Sequence, residues 1–256
     1  MLSLQNHIVL ITGASSGIGA ASGRAFAAAG CHLILTGRRI ERIEAAAAQL
    51  RGEFGVETLP LALDVTQHDQ VAQVLGNLPE RWASIDILLN NAGLSRGLDK
   101  LHEGQLQDWE EMIDTNVKGL LYVTRAILPG MVARGRGHVI NIGSIAGHEV
   151  YPGGNVYCAT KHAVDALTRA LRIDLVGAGI RVSSVDPGMV ETEFSLVRFH
   201  GDQERAKKVY QGLQPLTPED VADAILWCAT RPPHVNVQDL IIMATAQASA
   251  TVAHRK

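Results

Sequence analysis

Tyr157 and Lys161 stand four residues apart in a stretch of helical pattern, so both side chains leave one face of the helix and their polar ends can converge. A phenol donates a proton and, once ionised, accepts one. To work near neutrality its pKa must fall from about 10 to about 7, which takes roughly 4 kcal/mol of preferential stabilisation of the phenolate. A cation about 4 Å away in an effective dielectric near 20 offers about that much, so Lys161 is a sufficient electrostatic cause. Ser144 follows the apolar run 138–143 and can present its hydroxyl to the oxygen that the phenol protonates. The three groups suit acid–base chemistry at an alcohol or carbonyl. The tyrosine–lysine spacing is common by chance, and its meaning depends on what surrounds it.

The surroundings supply a nucleotide site. Thr12-Gly13-Ala14-Ser15-Ser16-Gly17-Ile18-Gly19 comes after the apolar run 8–12 and before an Ala-rich helical segment. Glycines there let the backbone approach a pyrophosphate, and the helix N-terminus offers free N–H groups and a favourable dipole. Gly13, Ser15, Ser16, Gly17, Ile18 and Gly19 are therefore cofactor candidates. The next run ends at Thr36-Gly37-Arg38-Arg39, where an NAD-selective chain places an acid against the ribose hydroxyls. Arg38 and Arg39 instead offer forked guanidinium donors for a 2′-phosphate, which points to NADP. Asp64 and Val65, and Asn91, Ala92 and Gly93 of Asn90-Asn91-Ala92-Gly93, sit at further run ends, placed for adenine and the adjoining ribose. Asn91 can equally tie neighbouring strands together.

The elements that must position these groups follow from the apolar pattern. Short β-branched or aliphatic runs at 8–12, 32–36, 56–63, 85–90, 138–143 and 180–185 alternate with helical segments such as 20–29 and 39–50. Continuously apolar strands separated by helices predict an α/β fold, a doubly wound parallel sheet with helices on both faces. No repeat or linker divides the chain, so residues 1–256 are read as a single domain. Residues 187–216 mix Pro, Gly, charges and aromatics beyond the sixth run, and predict a mobile substrate lid over the carboxyl ends of the strands.

Composition narrows the partners. A net charge of −3 with no long basic run argues against nucleic acid. Cys31, Cys158 and Cys228 are odd in number and far apart, which fits a reducing compartment and no structural metal site. The ten histidines form no metal-binding motif, and His148 and His162 near the site region read as ordinary polar residues. No early apolar run is long enough for a signal core or a membrane span, so a cytoplasmic location is expected.

In order and spacing, Thr12–Gly19, Asn90–Gly93, Ser144 and Tyr157-Cys158-Ala159-Thr160-Lys161 resemble the motifs of the short-chain dehydrogenase/reductase family over nearly the whole chain. The resemblance implies a seven-stranded Rossmann-like sheet and a tetrad of Asn116, Ser144, Tyr157 and Lys161. It further implies that Tyr157 is the acid or base, that Ser144 orients the reacting oxygen, and that Lys161 also bonds the nicotinamide ribose, aided by the charge of the oxidised ring. Asn116 would distort its helix and hold a water that links Lys161 to solvent. Asp114-Thr115-Asn116-Val117-Lys118-Gly119 is indeed a run of poor helix formers. Tyr157, Lys161, Pro187, Gly188, Val190 and Thr192 join the implied cofactor contacts.

Asp108–Asn116, Tyr151–Tyr157 and Glu193–Phe199 resemble the NADP-dependent 3-hydroxy acid dehydrogenase branch, whose members act on serine, L-allo-threonine or malonic semialdehyde. The implied substrate is a small 3-hydroxy acid or its semialdehyde or 3-oxo partner, and its carboxylate needs a donor. Arg198 is the first candidate and Arg96 the second. The lid charges Glu191, Glu193, Arg198, His200 and Asp202 favour a small polar ligand over a ketosteroid, quinone or acyl chain. A protein that binds NADP without turnover is the alternative of a different class. The family implies a homotetramer built through the helices carrying Asn116 and Tyr157, and the apolar run 240–252 is expected at a subunit interface.

Overall fold

Along β1 (Ile8–Ile11) the side chains alternate between the two faces of the sheet, yet Val9, Leu10 and Ile11 are all fully buried. Both faces must therefore be covered, and the computed structural model, which describes residues 2–256, shows how. Val9 and Ile11 share one apolar layer with Phe26, Ile43, Val221 and Ile225. Leu10 belongs to the other, with Ile34, Leu88, Val123, Ile127 and Met131. Each such side chain contributes about 1.5–3 kcal/mol by leaving water.

The strands are β1, β2 (His32–Gly37), β3 (Thr58–Ala62), β4 (Ile87–Asn90), β5 (Gly137–Ile142), β6 (Ile180–Pro187) and β7 (Asp239–Ile242). They form one parallel seven-stranded sheet in the order β3-β2-β1-β4-β5-β6-β7. The register sets Val9 beside Leu33 and Ile87, and Leu89 beside Ile140. The chain order reverses between β1 and β4, and the crevice outside the carboxyl ends of those strands is where a ligand fits such a sheet.

The helices are α1 (Gly17–Ala28), α2 (Ile40–Phe54), α3 (His68–Gly76), α4 (Leu106–Ile113), α5 (Leu120–Arg134), α6 (Asn155–Asp174), α7 (Phe194–Arg198), α8 (Gln203–Lys208) and α9 (Pro218–Ala229). Helices α1, α2 and α9 cover one face, and α3 and α5 the other. No helix among the described residues is long and apolar enough to cross a membrane.

One expectation is corrected. The run 56–63 yields a strand only over Thr58–Ala62, because Val56 and Leu63 are buried outside the β2 ladder. The run 240–252 is mixed in exposure, with Ile241 48% and Val252 60% exposed. Leu240–Ile242 pairs with β6 as the edge strand β7, Ala244 and Gln247 are buried within the same chain, and Gln247 bridges Ala253.

Between β6 and α9 the chain makes α7 and α8, with Val190 bridged to Leu216. The stretch ends at a capping box, in which the Thr217 hydroxyl accepts from the Asp220 N–H and the Asp220 carboxylate accepts from the Thr217 N–H.

Candidate active site

The carboxyl ends of β1, β2, β4, β5 and β6 open into a cavity of about 360 Å³. Its wall brings together the glycine loop, Arg38, Arg39, Asp64, Val65, Asn91, Ala92, Gly93, Ser144, Tyr157, Lys161, Pro187, Gly188, Val190 and Thr192. Three residues expected at the site, Gly19, Asn116 and Arg198, are not on that wall. Each has a supporting position instead.

Gly19 permits the loop itself. A Cβ there would lie 2.5 Å from the Asn91 amide and 2.5 Å from the Gly13 carbonyl oxygen. Gly13 has φ +66°, and a side chain would meet Ala92. Asn91 closes the same joint: its Nδ2 donates to the Thr12 and Gly13 carbonyls at 2.8 and 3.2 Å, and its N–H donates to the Thr12 hydroxyl. Asn91 is thus both a wall residue and the tie between β4 and the loop.

Asn116 lies in a π-helical turn, Asp114–Gly119, between α4 and α5. The poor helix formers seen in sequence do break the regular helix, at a place where such turns serve sites. Buried Asn116 accepts from the Leu94 N–H at 2.8 Å and donates to the Leu94 carbonyl and the Thr160 hydroxyl at 2.8 and 3.0 Å. Its side chain fastens the loop after β4 to α6.

Ser144 caps a short 3-10 turn, Ile145–Gly147, its hydroxyl accepting from the Ala146 N–H at 3.1 Å. On α6, Tyr157 and Lys161 face the same cavity and are only 8% and 7% exposed. Lys161 Nζ donates to the Ile142 carbonyl at 2.8 Å and lies 6.0 Å from the centre of the Tyr157 ring. Burial pushes the phenol above its ordinary value, with Tyr151 adding to the rise and Arg198 and the Ser144 hydroxyl opposing it. Burial also pushes the Lys161 amine down to about 8, against the pull of the Asp186 carboxylate.

This corrects the electrostatic balance drawn from spacing. That balance counted a nearby ammonium and left out desolvation, which disfavours the charged form of both groups. The cation nearest the Tyr157 ring is also not the expected one: Arg198 Cζ is 5.3 Å from the ring centre. Its Nε donates to the Ser95 hydroxyl and its Nη2 to the Tyr151 hydroxyl, both at 3.0 Å. Arg96 is spent elsewhere, on Glu111 at 2.8 Å and on the Val197 carbonyl at 2.6 Å.

Three of the lid charges are also committed. Glu193 pairs with Arg39 and Arg42, His200 with Asp108, and Asp202 caps α8. Glu193 and His200 thereby tie residues 187–216 to α2 and α4, while Asp202 acts within that segment. The lid wall facing Tyr157 is apolar, with Phe194 and Val197, and the Phe194 ring sits edge-on at 5.6 Å. Of the two arginines expected at the cofactor, Arg39 donates to Ser15 and Ser16 of the glycine loop at 2.9 and 2.8 Å, while Arg38 lines the cavity. The role of Arg42 escaped sequence reading. Its position three residues beyond Arg39, on the same helical face, was the available signal. His148 pairs with Asp186 at 3.0 Å and His162 with the Cys158 carbonyl, and neither lines the cavity.

Residues 7–202 match the family model described as short chain dehydrogenase. The chain belongs to the short chain dehydrogenase family. Among relatives of this dehydrogenase, the NADP-dependent 3-hydroxy acid dehydrogenase YdfG of Escherichia coli K12 is 49% identical over 244 residues, 95% of this chain and 97% of that protein. The NADP-dependent 3-hydroxy acid dehydrogenase of Schizosaccharomyces pombe is 45% identical over 257 residues, 100% of this chain and 99% of that one. Among solved structures, the closed form of serine dehydrogenase complexed with NADP+ is 48% identical with a TM-score of 0.91, covering 97% of this chain and all of the other.

Proposed function

We propose that this short chain dehydrogenase is an NADP(H)-dependent oxidoreductase that interconverts a small 3-hydroxy acid, of the serine, L-allo-threonine or 3-hydroxypropionate type, with its 3-oxo acid or semialdehyde. The observation that carries the reading is one cavity that holds a glycine cradle and two arginines at one end and Tyr157, Lys161 and Ser144 at the other. The relatives' names agree with it.

The residues fit the dinucleotide. Gly13 and Gly19 leave backbone open where any Cβ would crowd the loop, and Arg39 is already aimed across it. Gly13, Ser15, Ser16, Gly17 and Ile18 would hold the pyrophosphate, Arg38 and Arg39 a 2′-phosphate, and Asp64, Val65 and Asn91 to Gly93 the adenosine side. Pro187, Gly188, Val190 and Thr192 close over the remainder. Bound there, the nicotinamide gives or takes the hydride and, when oxidised, adds a positive charge.

Within that frame Tyr157 donates its proton to the carbonyl oxygen during reduction and accepts it back during oxidation. The Ser144 hydroxyl holds and polarises the same oxygen. Lys161 stays mostly protonated at pH 7, because its amine titrates near 8, and its charge supports the phenolate. Asn116 ties the loop after β4 to the α6 turn that carries this pair, through the Leu94 backbone and the Thr160 hydroxyl. Arg198 offers the donor for a substrate carboxylate, since its guanidinium stacks beside Tyr157 and shares its hydrogen bonds only with two neutral hydroxyls.

One observation favours a second reading. Leu94, Phe194 and Val197 line the cavity close to the phenol and suit an apolar substituent on the carbonyl, as in a ketosteroid, quinone or acyl chain. The two readings separate in a spectrophotometric assay: NADPH consumption with malonic semialdehyde and NADP reduction with serine and 3-hydroxypropionate support the first. Turnover confined to apolar ketones supports the second, and tight NADP binding without turnover of any substrate overturns both.

The proposal extends to a homotetramer in the cytoplasm. Exposed Ile113, Leu121 and Ile173 on the helices around Asn116 and Tyr157 give such an assembly apolar faces to bury, and the three buried free thiols suit a reducing compartment.

A further inference from the structure

Glu193, the residue just before α7, sets one carboxylate oxygen on Arg39 and the other on Arg42, each at 2.8 Å. Arg39 spends its remaining donors on Ser15 and Ser16. A carboxylate of the lid thus sits in a two-arginine fork at the edge of the glycine loop, where the proposed function places a 2′-phosphate. Thr192, next to it, packs over Gly17, where an added Cβ would lie 3.3 Å from its methyl. Phe194 on the other side covers the Tyr157 ring.

We infer that Glu193 is an internal competitor for the 2′-phosphate seat, that Arg42 completes this seat with Arg39, and that filling it shifts the lid. The inference rests on the NADP reading above. The chemistry is anion exchange at a guanidinium fork: a phosphate brings more charge and more acceptor oxygens than a carboxylate, and two anions in contact with one fork repel. The carboxylate must therefore leave for the phosphate to use both arginines. Because Glu193 precedes α7 directly, its release loosens the hold on Phe194 above Tyr157. Protonation offers no escape from the competition, since the two arginines hold the Glu193 carboxyl down to about 2. The ions are 42% to 52% exposed, so the exchange is a modest one.

Calorimetric titration of the whole protein with 2′,5′-ADP and with 5′-AMP tests this. The wild type should prefer 2′,5′-ADP. E193Q should widen that preference by about three- to tenfold with 5′-AMP affinity unchanged, and R42M should narrow it by a similar factor. Hydrogen exchange of residues 190–199 in the wild type should rise with 2′,5′-ADP and not with 5′-AMP. If the wild type prefers 2′,5′-ADP but E193Q leaves the preference unchanged or narrows it, the competitor role fails and the NADP reading stands. Equal loss of both nucleotides in E193Q marks a merely structural glutamate and also overturns the inference. A wild type that does not distinguish the two nucleotides sinks the NADP reading itself and this inference with it.

Discussion

The rim and the floor of the cavity treat charge in opposite ways. At the rim, Arg39, Arg42 and Glu193 stand half in water and neutralise one another directly. On the floor, Tyr157 and Lys161 are buried without an ion-pair partner; Arg198 lies beside the phenol ring and the lysine leans on a backbone carbonyl. Rim charges are cheap to form and cheap to exchange, because solvent screens them. Floor charges are costly, so burial moves their proton affinities instead. On the proposed reading, one end selects an anion and the other moves a proton.

The sharpest way to break this contrast is Y157F. Turnover should fall by about 10²–10⁴-fold while NADP affinity is kept, as measured by stopped assay and calorimetry. Normal turnover would remove the phenol from the chemistry and leave the floor without a proton carrier.

Next in size comes the pH dependence of stability. The Lys161 amine holds its proton up to its ordinary 10.5 in the unfolded chain but only to about 8 in the fold. Between these values the unfolded chain binds more protons, so stability rises with pH, and below about 8 the full cost of burying the cation is present. Compared with K161M in denaturant titrations, the wild type should gain up to about 3 kcal/mol from pH 8 to 10.5. A difference that stays flat across that window would mean that Lys161 is not desolvated.

A smaller effect separates substrates. R198M should raise KM for a carboxylated substrate by roughly tenfold or more, with little change for an uncharged alcohol of similar size. Equal changes would reduce Arg198 to a packing residue beside Tyr151 and Tyr157. Smallest is the rim: R42M should change the unfolding free energy by less than about 1 kcal/mol, and less still in high salt, as thermal melts would show.

The parts of the site that were readable in sequence are those whose function depends on a short stretch of backbone. A glycine loop after an apolar strand, a serine after the fifth strand and a tyrosine four residues before a lysine keep their relation in any fold that forms those elements. The break at Asp114–Gly119 was readable too, since poor helix formers interrupted a helical run. The partners of charged side chains were not. Arg96, Arg198, Glu193 and His200 look alike as charges on mobile segments, yet the first is bound to Glu111, the second sits against Tyr157, the third grips Arg39 and Arg42, and the fourth pairs with Asp108. Likewise the place of Leu240–Ile242 at the sheet edge is set by its pairing with β6.

Local order in the chain therefore determined the alternation of strands and helices, the glycine loop and the convergence of Tyr157 and Lys161 on one helix face, because each arises from contacts within a turn or two of backbone. Tertiary structure alone decided how deeply Tyr157 and Lys161 are buried, which arginine stands beside the phenol, and that a lid glutamate reaches the arginines beyond β2. Desolvation and ion pairing depend on everything packed around a group, and residues more than 150 positions apart in the sequence, such as Arg39 and Glu193, become neighbours only when the sheet closes.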